Sequence, residues 1–193
     1  MLESTIDCTD SECSQRQDLE RILIPRADIA RRVAELGKQI TADYQGRELV
    51  LICILKGGLP FTADLMRAID LPVSLEVVGA SAYKGGTSAA ARLRITKDVD
   101  HDMAGRHVLL VEDVYDTGKT LAVMHELLGL HQPASLEICS LLRKDKPRAQ
   151  ELPIRYVGFD VEDVFVVGYG LDYKERYRNL PCIGVLKSEI YKE

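Results

Sequence analysis

The residues best equipped for chemistry lie in one stretch, Val108-Leu-Leu-Val-Glu-Asp-Val-Tyr-Asp-Thr-Gly-Lys-Thr120, where an apolar strand runs into three carboxylates: Glu112, Asp113 and Asp116. In an open α/β sheet the ligand crevice lies at the carboxyl ends of the strands, so acids placed there converge on a site. Carboxylates beside a core need cationic or hydrogen-bonding partners, and a ligand can supply them. The next residues, Asp116-Thr117-Gly118-Lys119-Thr120, offer consecutive backbone N–H groups at a helix N-terminus, two hydroxyls and a glycine that lets the backbone approach closely. That combination suits a phosphate monoester. An ATP-type P-loop is excluded, because its pattern needs a glycine five residues before Gly118 and that position is Asp113. Taken separately, each half has a plain structural reading: Asp116 and Thr117 as a helix cap, Glu112 and Asp113 as a solvated strand end. Taken together they suit a sugar phosphate whose vicinal hydroxyls are gripped by the acids.

Elements that would position these groups are legible in the hydrophobic pattern. Ile29, Val33, Leu36 and Ile40 recur at helical spacing after Pro25, with Asp28 as a candidate cap, and predict an amphipathic helix to about Tyr44. The run Leu49 to Leu55 is continuously apolar, as expected of a parallel strand covered on both faces, and ends at Lys56-Gly57-Gly58. A helix from about Leu59 to Ile69 leads to a strand over Val73 to Val78. Residues from Gly79 to Ala91, small and glycine-bearing, read as a long mobile loop whose return strand is Arg92 to Thr96. A turn at Ala104-Gly105-Arg106 precedes the strand from His107 to Val111, and the following helix carries Leu121, Met124, Leu127 and Leu128 on one side. Further strands fall at 136–142, 156–159, 165–167 and 183–186. The alternation is that of an α/β domain with a mainly parallel sheet.

Bulk properties bound the functions open to such a chain. Its 193 residues suffice for one core, and 46% hydrophobic with 28% charged residues is the balance of a globular protein. Residues 1–18 lack periodicity and are expected to be a loosely held tail, leaving 19–193 as a single domain. A formal net charge of −5 argues against a protein that grips a nucleic-acid backbone, so any phosphate must be held locally. The longest apolar run, seven residues, is far short of the roughly twenty needed to cross a bilayer. With a polar, acidic N-terminus, a cytoplasmic protein is expected. Cys8, Cys13, Cys53, Cys139 and Cys182 form no metal-binding spacing and read as reduced thiols.

The stretch 108–120, in its Glu-Asp-x-x-Asp-Thr-Gly form, resembles the phosphoribosyl pyrophosphate signature of the type I phosphoribosyltransferases, in particular the hypoxanthine-guanine branch. The resemblance extends from about residue 20 to 187 over four separated segments. It implies the type I phosphoribosyltransferase fold, a mainly parallel sheet flanked by helices with a small hood built from the N-terminal and C-terminal segments, and transfer of phosphoribose to a 6-oxopurine with Mg2+. On that resemblance Glu112 and Asp113 would bind the ribose hydroxyls, directly or through magnesium. Asp116, Thr117, Gly118, Lys119 and Thr120 would cradle the 5-phosphate, and Asp116 would exchange a proton with the purine's imidazole ring. Lys56-Gly57 would form the pyrophosphate loop, Lys144 would donate to the 6-oxo group with Lys146 as the competing alignment, and Phe165 and Val166 would stack on and edge the base. Asp172 would hold a second magnesium, Arg178 would pair with pyrophosphate, and Tyr83 would close the mobile loop over it. The family's usual Ser-Tyr in that loop is Ala82-Tyr83 here, a departure that puts the serine contact in doubt.

The partners so implied are phosphoribosyl pyrophosphate and a 6-oxopurine, with no nucleic acid, no membrane, and assembly as a homodimer or homotetramer. Two alternatives stay open: a transferase preferring xanthine, and a nucleotide-sensing RNA-binding regulator on the same fold. The second needs a basic face, whereas Lys and Arg are scattered here except between Arg143 and Arg148.

Overall fold

The computed structural model describes residues 14–83, 92–148 and 151–192. Six strands form the main sheet in the order β4-β3-β2-β5-β6-β7: β2 (Leu49–Leu55), β3 (Val73–Tyr83), β4 (Arg92–Lys97), β5 (His107–Tyr115), β6 (Ser135–Lys144) and β7 (Tyr156–Val161). All neighbours run parallel except β3 and β4, which are antiparallel. α2 (Leu59–Ala68) and α3 (Lys119–Gly129) are crossovers between parallel strands, and α1 (Arg26–Asp43) leads into β2. A second sheet, three antiparallel strands in the order β1-β9-β8, joins β1 (Leu19–Ile24) to β8 (Val166–Val167) and β9 (Ile183–Leu186), followed by the short α4 (Ser188–Tyr191). The fold is α/β, with the second sheet made from both ends of the described chain.

The apolar run of β2 is explained by burial on two sides. Leu49 and Leu51 pack with α1 and α2 residues Leu36, Ile40 and Leu65, whereas Val50, Ile52 and Ile54 pack with Leu121, Met124 and Leu128 of α3. β5 divides in the same way, Leu109 and Val111 to the first side and Val108 and Leu110 to the second. Each such fully buried side chain contributes about 1.5–3 kcal/mol. Truncating one, as in Leu51→Ala, would cost roughly 2–5 kcal/mol and loosen the strand on which the Lys56 turn is mounted.

Several sequence expectations need correction. Helix α1 begins at Arg26 with Pro25 at the cap position; Asp28 sits inside the first turn and pairs with Arg31 at 2.7 Å instead of capping. β3 continues past Val78 to Tyr83, because residues 79–83 find an antiparallel partner in β4, so the expected loop starts later. Residues 84–91 and 1–13 lie outside the described residues, and with them the expected loop closure and loose tail. Residues 16–18, expected to belong to that tail, form a 3-10 turn, and Asp18 accepts a hydrogen bond from Tyr177 Oη at 2.8 Å. Leu127 is more than a third exposed, off the buried face of α3. Cys53 and Cys139 are free and buried, but Cys182 is disulfide-bonded. Pairing depends on Cα separation in the folded chain, which residue spacing does not reveal.

Candidate active site

The carboxyl ends of β2, β5, β6 and β7 deliver the predicted residues to one edge of the sheet. At the end of β2 the Leu55–Lys56 peptide is cis, and the turn is closed by Gly58 N–H to Ile54 O (3.2 Å) and Leu59 N–H to Lys56 O (3.2 Å). Glycine is required at 57 by close approach: a Cβ there would sit 1.6 Å from Asp113 Oδ2. The neighbouring strand's carboxylate thus lies against the turn.

β5 is longer than its apolar pattern suggests and carries Glu112 and Asp113 within the strand. Its alternation breaks here, Val114 packing towards α1 and α2 and Tyr115 towards α3. The two carboxyl groups interact, and Glu112 Oε2 is buried without a hydrogen-bond partner. Burial first, then the neighbouring Asp113 carboxylate, push the Glu112 carboxyl well above the ordinary glutamate range. Asp113 Oδ1 accepts the Val114 N–H at 2.7 Å. Such a pair, with one oxygen unsatisfied, fits a ribose diol or a hard divalent cation that takes its other ligands from substrate and water. Among the described residues no cluster of three or more metal-ligating side chains occurs.

Residues 116–120 wrap a cavity of about 240 Å³ together with Glu112, Val114, Tyr115 and Leu121. Gly118 adopts φ +78°, a left-handed conformation suited to glycine, immediately before α3 begins at Lys119. The amides of a helix N-terminus thereby line the cavity. Beside it, Lys144, the last residue of β6, and Lys146 both meet Asp116, Lys144 at 3.7 Å and Lys146 in closer contact. Both also pair with Asp163, at 3.3 and 3.1 Å. The Asp163 carboxyl is held below the usual range, first by the hydrogen bond from Lys146.

Facing this edge, the segment after β8 approaches the β2 turn so closely that a Cβ on Gly170 would meet Gly57 O at 2.1 Å. Arg178 Nη2 lies 2.8 Å from Asp172 Oδ1, its Nη1 donates to Gly170 O at 2.7 Å, and its Nε is buried without a partner. Phe165 is half-buried, stacked on Tyr191 of α4 at 4.7 Å between centroids and edge-on to Tyr173 at 5.7 Å. Val166 is buried and paired with Val185. Tyr83 ends β3, where its backbone pairs with Arg92 of β4.

Three contributors escaped the sequence reading. Arg148 donates Nε to Asp116 O at 3.1 Å and Nη2 to Lys144 O, with its guanidinium 4.3 Å over the Tyr115 ring, and so ties together the backbones of two site residues. Asp163 and Glu175 bridge pairs of cations. No motif marks any of the three; only an Arg-rich stretch and acids near the matched segments hinted at them. A larger cavity, about 830 Å³, lies elsewhere among the described residues, between α1, α2 and the 179–181 segment. It lacks the convergence of carboxylates, lysines and helix amides found at the strand ends, and size alone does not outweigh that chemistry.

Fold and site together define a transferase of phosphoribose: the sequence profile of the phosphoribosyl transferase domain matches residues 24–174, and the chain belongs to that family. Its relatives narrow the branch. The hypoxanthine-guanine phosphoribosyltransferase of Streptococcus thermophilus is 41% identical over 177 residues, 92% of this chain and 98% of that protein. The hypoxanthine phosphoribosyltransferase of Salmonella typhimurium is 47% identical over 165 residues, 84% and 93% respectively. The crystal structure of a hypoxanthine phosphoribosyltransferase from Staphylococcus aureus superposes with a TM-score of 0.90 at 42% identity, covering 95% of this chain and 100% of that one.

Proposed function

We propose that this chain transfers the phosphoribosyl group of phosphoribosyl pyrophosphate to hypoxanthine or guanine, releasing pyrophosphate and forming IMP or GMP. The observation that carries this reading is the convergence of three chemically distinct subsites on one sheet edge: the Glu112–Asp113 pair, the 116–120 phosphate nest with Lys144 beside it, and the Lys56 turn facing Arg178.

In this reading the 116–120 amides and hydroxyls hold the 5-phosphate, and Glu112 and Asp113 hold the ribose hydroxyls. That places the anomeric carbon between the Lys56 turn and Asp116. The base lies on Phe165, its 6-oxo oxygen accepting from Lys144, with Val166 backbone groups at its edge. Lys144 is preferred to Lys146 because it ends a core strand and its side chain is 11% exposed against 21%. Asp116, within reach of the ring's imidazole nitrogens, takes or returns the proton there as the glycosidic bond forms. Lys56, its neighbouring amides and Arg178 offset the charge that develops on pyrophosphate as its bond to carbon breaks. Glu112, Asp113 and, on the opposite side, Asp172 are the residues that would hold Mg2+, which when bound neutralises diphosphate charge. Tyr83 and the loop after it would exclude water from the donor.

Among the described residues no helix is long and apolar enough to cross a membrane. A cytoplasmic setting and assembly as a homodimer or homotetramer belong to the same proposal, supported by the family's resemblance. The test is an absorbance assay with phosphoribosyl pyrophosphate and magnesium against hypoxanthine, guanine, xanthine, adenine and uracil, with Asp116→Asn as control. Turnover of hypoxanthine or guanine, weakened in the variant, is expected. Donor binding without turnover of any base would replace this reading by a regulatory one.

A further inference from the structure

Glu175 has no part in the chemistry described so far, yet its carboxylate stands at a decisive place. Its Oε2 lies 3.1 Å from Lys56 Nζ and 3.3 Å from Arg178 Nη2, so one oxygen bridges two cations that come from separate elements. The same two cations are those assigned above to pyrophosphate. The loop fixes the backbone from which that carboxylate extends: Glu175 has φ +63°, its N–H donates to Asp172 Oδ2 at 2.9 Å, and the Tyr173–Arg176 bridge closes the turn around it. Arg178 keeps one buried donor, Nε, without a partner, so its guanidinium has donor capacity left for a further acceptor.

Resting on the assignment of Lys56 and Arg178 to the leaving group, we propose that Glu175 is a resident carboxylate of the pyrophosphate subsite, occupying the position of a phosphate oxygen and competing with the donor's diphosphate. A carboxylate and a diphosphate cannot share one pair of cations without strong repulsion. Glu175, with a side chain 65% exposed, is free to swing into solvent as the donor enters and to return as pyrophosphate leaves. The exchange trades two internal ion pairs for two to substrate. It therefore weakens donor and product binding together, which favours release of pyrophosphate after transfer.

The competing view is that these are ordinary exposed ion pairs. Each such pair changes an equilibrium by up to about fivefold and weakens with salt. If the pairs only orient Lys56 and Arg178, removing the carboxylate leaves pyrophosphate binding unchanged or weaker; if the carboxylate competes, removing it strengthens binding. In titration calorimetry with magnesium pyrophosphate, Glu175→Gln, which keeps the side chain's length and its backbone bonds, should bind roughly three- to tenfold more tightly than the parent at low salt. The gap should narrow as salt is added, and the KM for phosphoribosyl pyrophosphate should fall in parallel while that for hypoxanthine stays put. Glu175→Asp, charged but shorter, should fall between. Unchanged or weaker pyrophosphate binding in Glu175→Gln, with an unchanged Tm, would overturn the inference and make the carboxylate an orienting or merely superficial group. Absence of pyrophosphate binding in every form would overturn it too. Because binding of pyrophosphate needs no base, failure of turnover would remove the proposed reaction and leave this comparison decisive.

Discussion

Substituting Gly57 by alanine should disable the enzyme far more than it destabilises the fold. The new Cβ would lie 1.6 Å from Asp113 Oδ2, so reaching the 3.4 Å of ordinary contact moves that carboxylate by about 1.8 Å. Asp113 is nearly buried and its Oδ1 is anchored on the Val114 N–H, so it yields only by giving up that bond and leaving its rotamer. One hydrogen bond and one off-rotamer side chain together cost roughly 1–3 kcal/mol, or about 2–12 °C in Tm for a domain of this size. For the reaction, a displacement beyond 1 Å of a group that positions the ribose costs on the order of 100-fold. Steady-state kinetics should show kcat/KM for the donor lower by about that factor, while a thermal melt stays cooperative. Gly129→Ala is the matched control, since a Cβ at the end of α3 meets nothing within 4 Å; it should leave both quantities unchanged or raise Tm slightly. Gly57→Ala with donor kinetics within threefold of the parent would refute the placement of Asp113 in the sugar site.

Other outcomes follow from the same geometry. Lys144→Met should raise the KM for hypoxanthine at least tenfold with little effect on the donor, whereas Lys146→Met should not; the reverse pattern would assign the base to Lys146. Gly170→Ala combines φ +101° with a Cβ 2.1 Å from Gly57 O, so it should lower Tm by several degrees and weaken pyrophosphate binding at once. Cys139 is buried and burial pushes its thiol up, so it should resist alkylation at pH 8 until denaturant is added. Tyr44, Tyr156, Tyr169 and Tyr177 all have phenols raised, chiefly by burial. A raised folded-state value means that the unfolded chain loses its protons first. Stability is thus intact below about pH 10 and falls above it. Absorbance at 295 nm should show these four ionising only together with unfolding, and independent titration near pH 10 in the folded state would contradict their burial.

The acids, the phosphate nest and the run of β2 were legible because each is a local pattern. An uninterrupted apolar run means two covered faces, and the 49–55 boundaries match the strand. Strand β1 was missed because Leu19–Ile24 mixes charged and apolar residues, Arg21 pairing with Glu162 at the surface, and because its partner β9 is more than 150 residues away. The extension of β3 to Tyr83 was likewise invisible, since a return strand and not side-chain hydrophobicity satisfies its backbone. The family resemblance marks Phe165 as a platform, but its companions Tyr173 and Tyr191 emerge only once α4 folds back on it.

By itself the sequence determined the chemistry available: which acids, lysines and helix amides exist, and that those of 108–120 must leave the sheet at one strand end. Strand order and long-range contacts decided what those groups meet. Asp113 against Gly57, Lys144 and Lys146 on Asp116 and Asp163, and Glu175 against Lys56 are each set by distances between separate elements of the chain. Local patterning reports how a segment is buried, whereas the electrostatic partners of a site depend on which buried segments come to lie side by side.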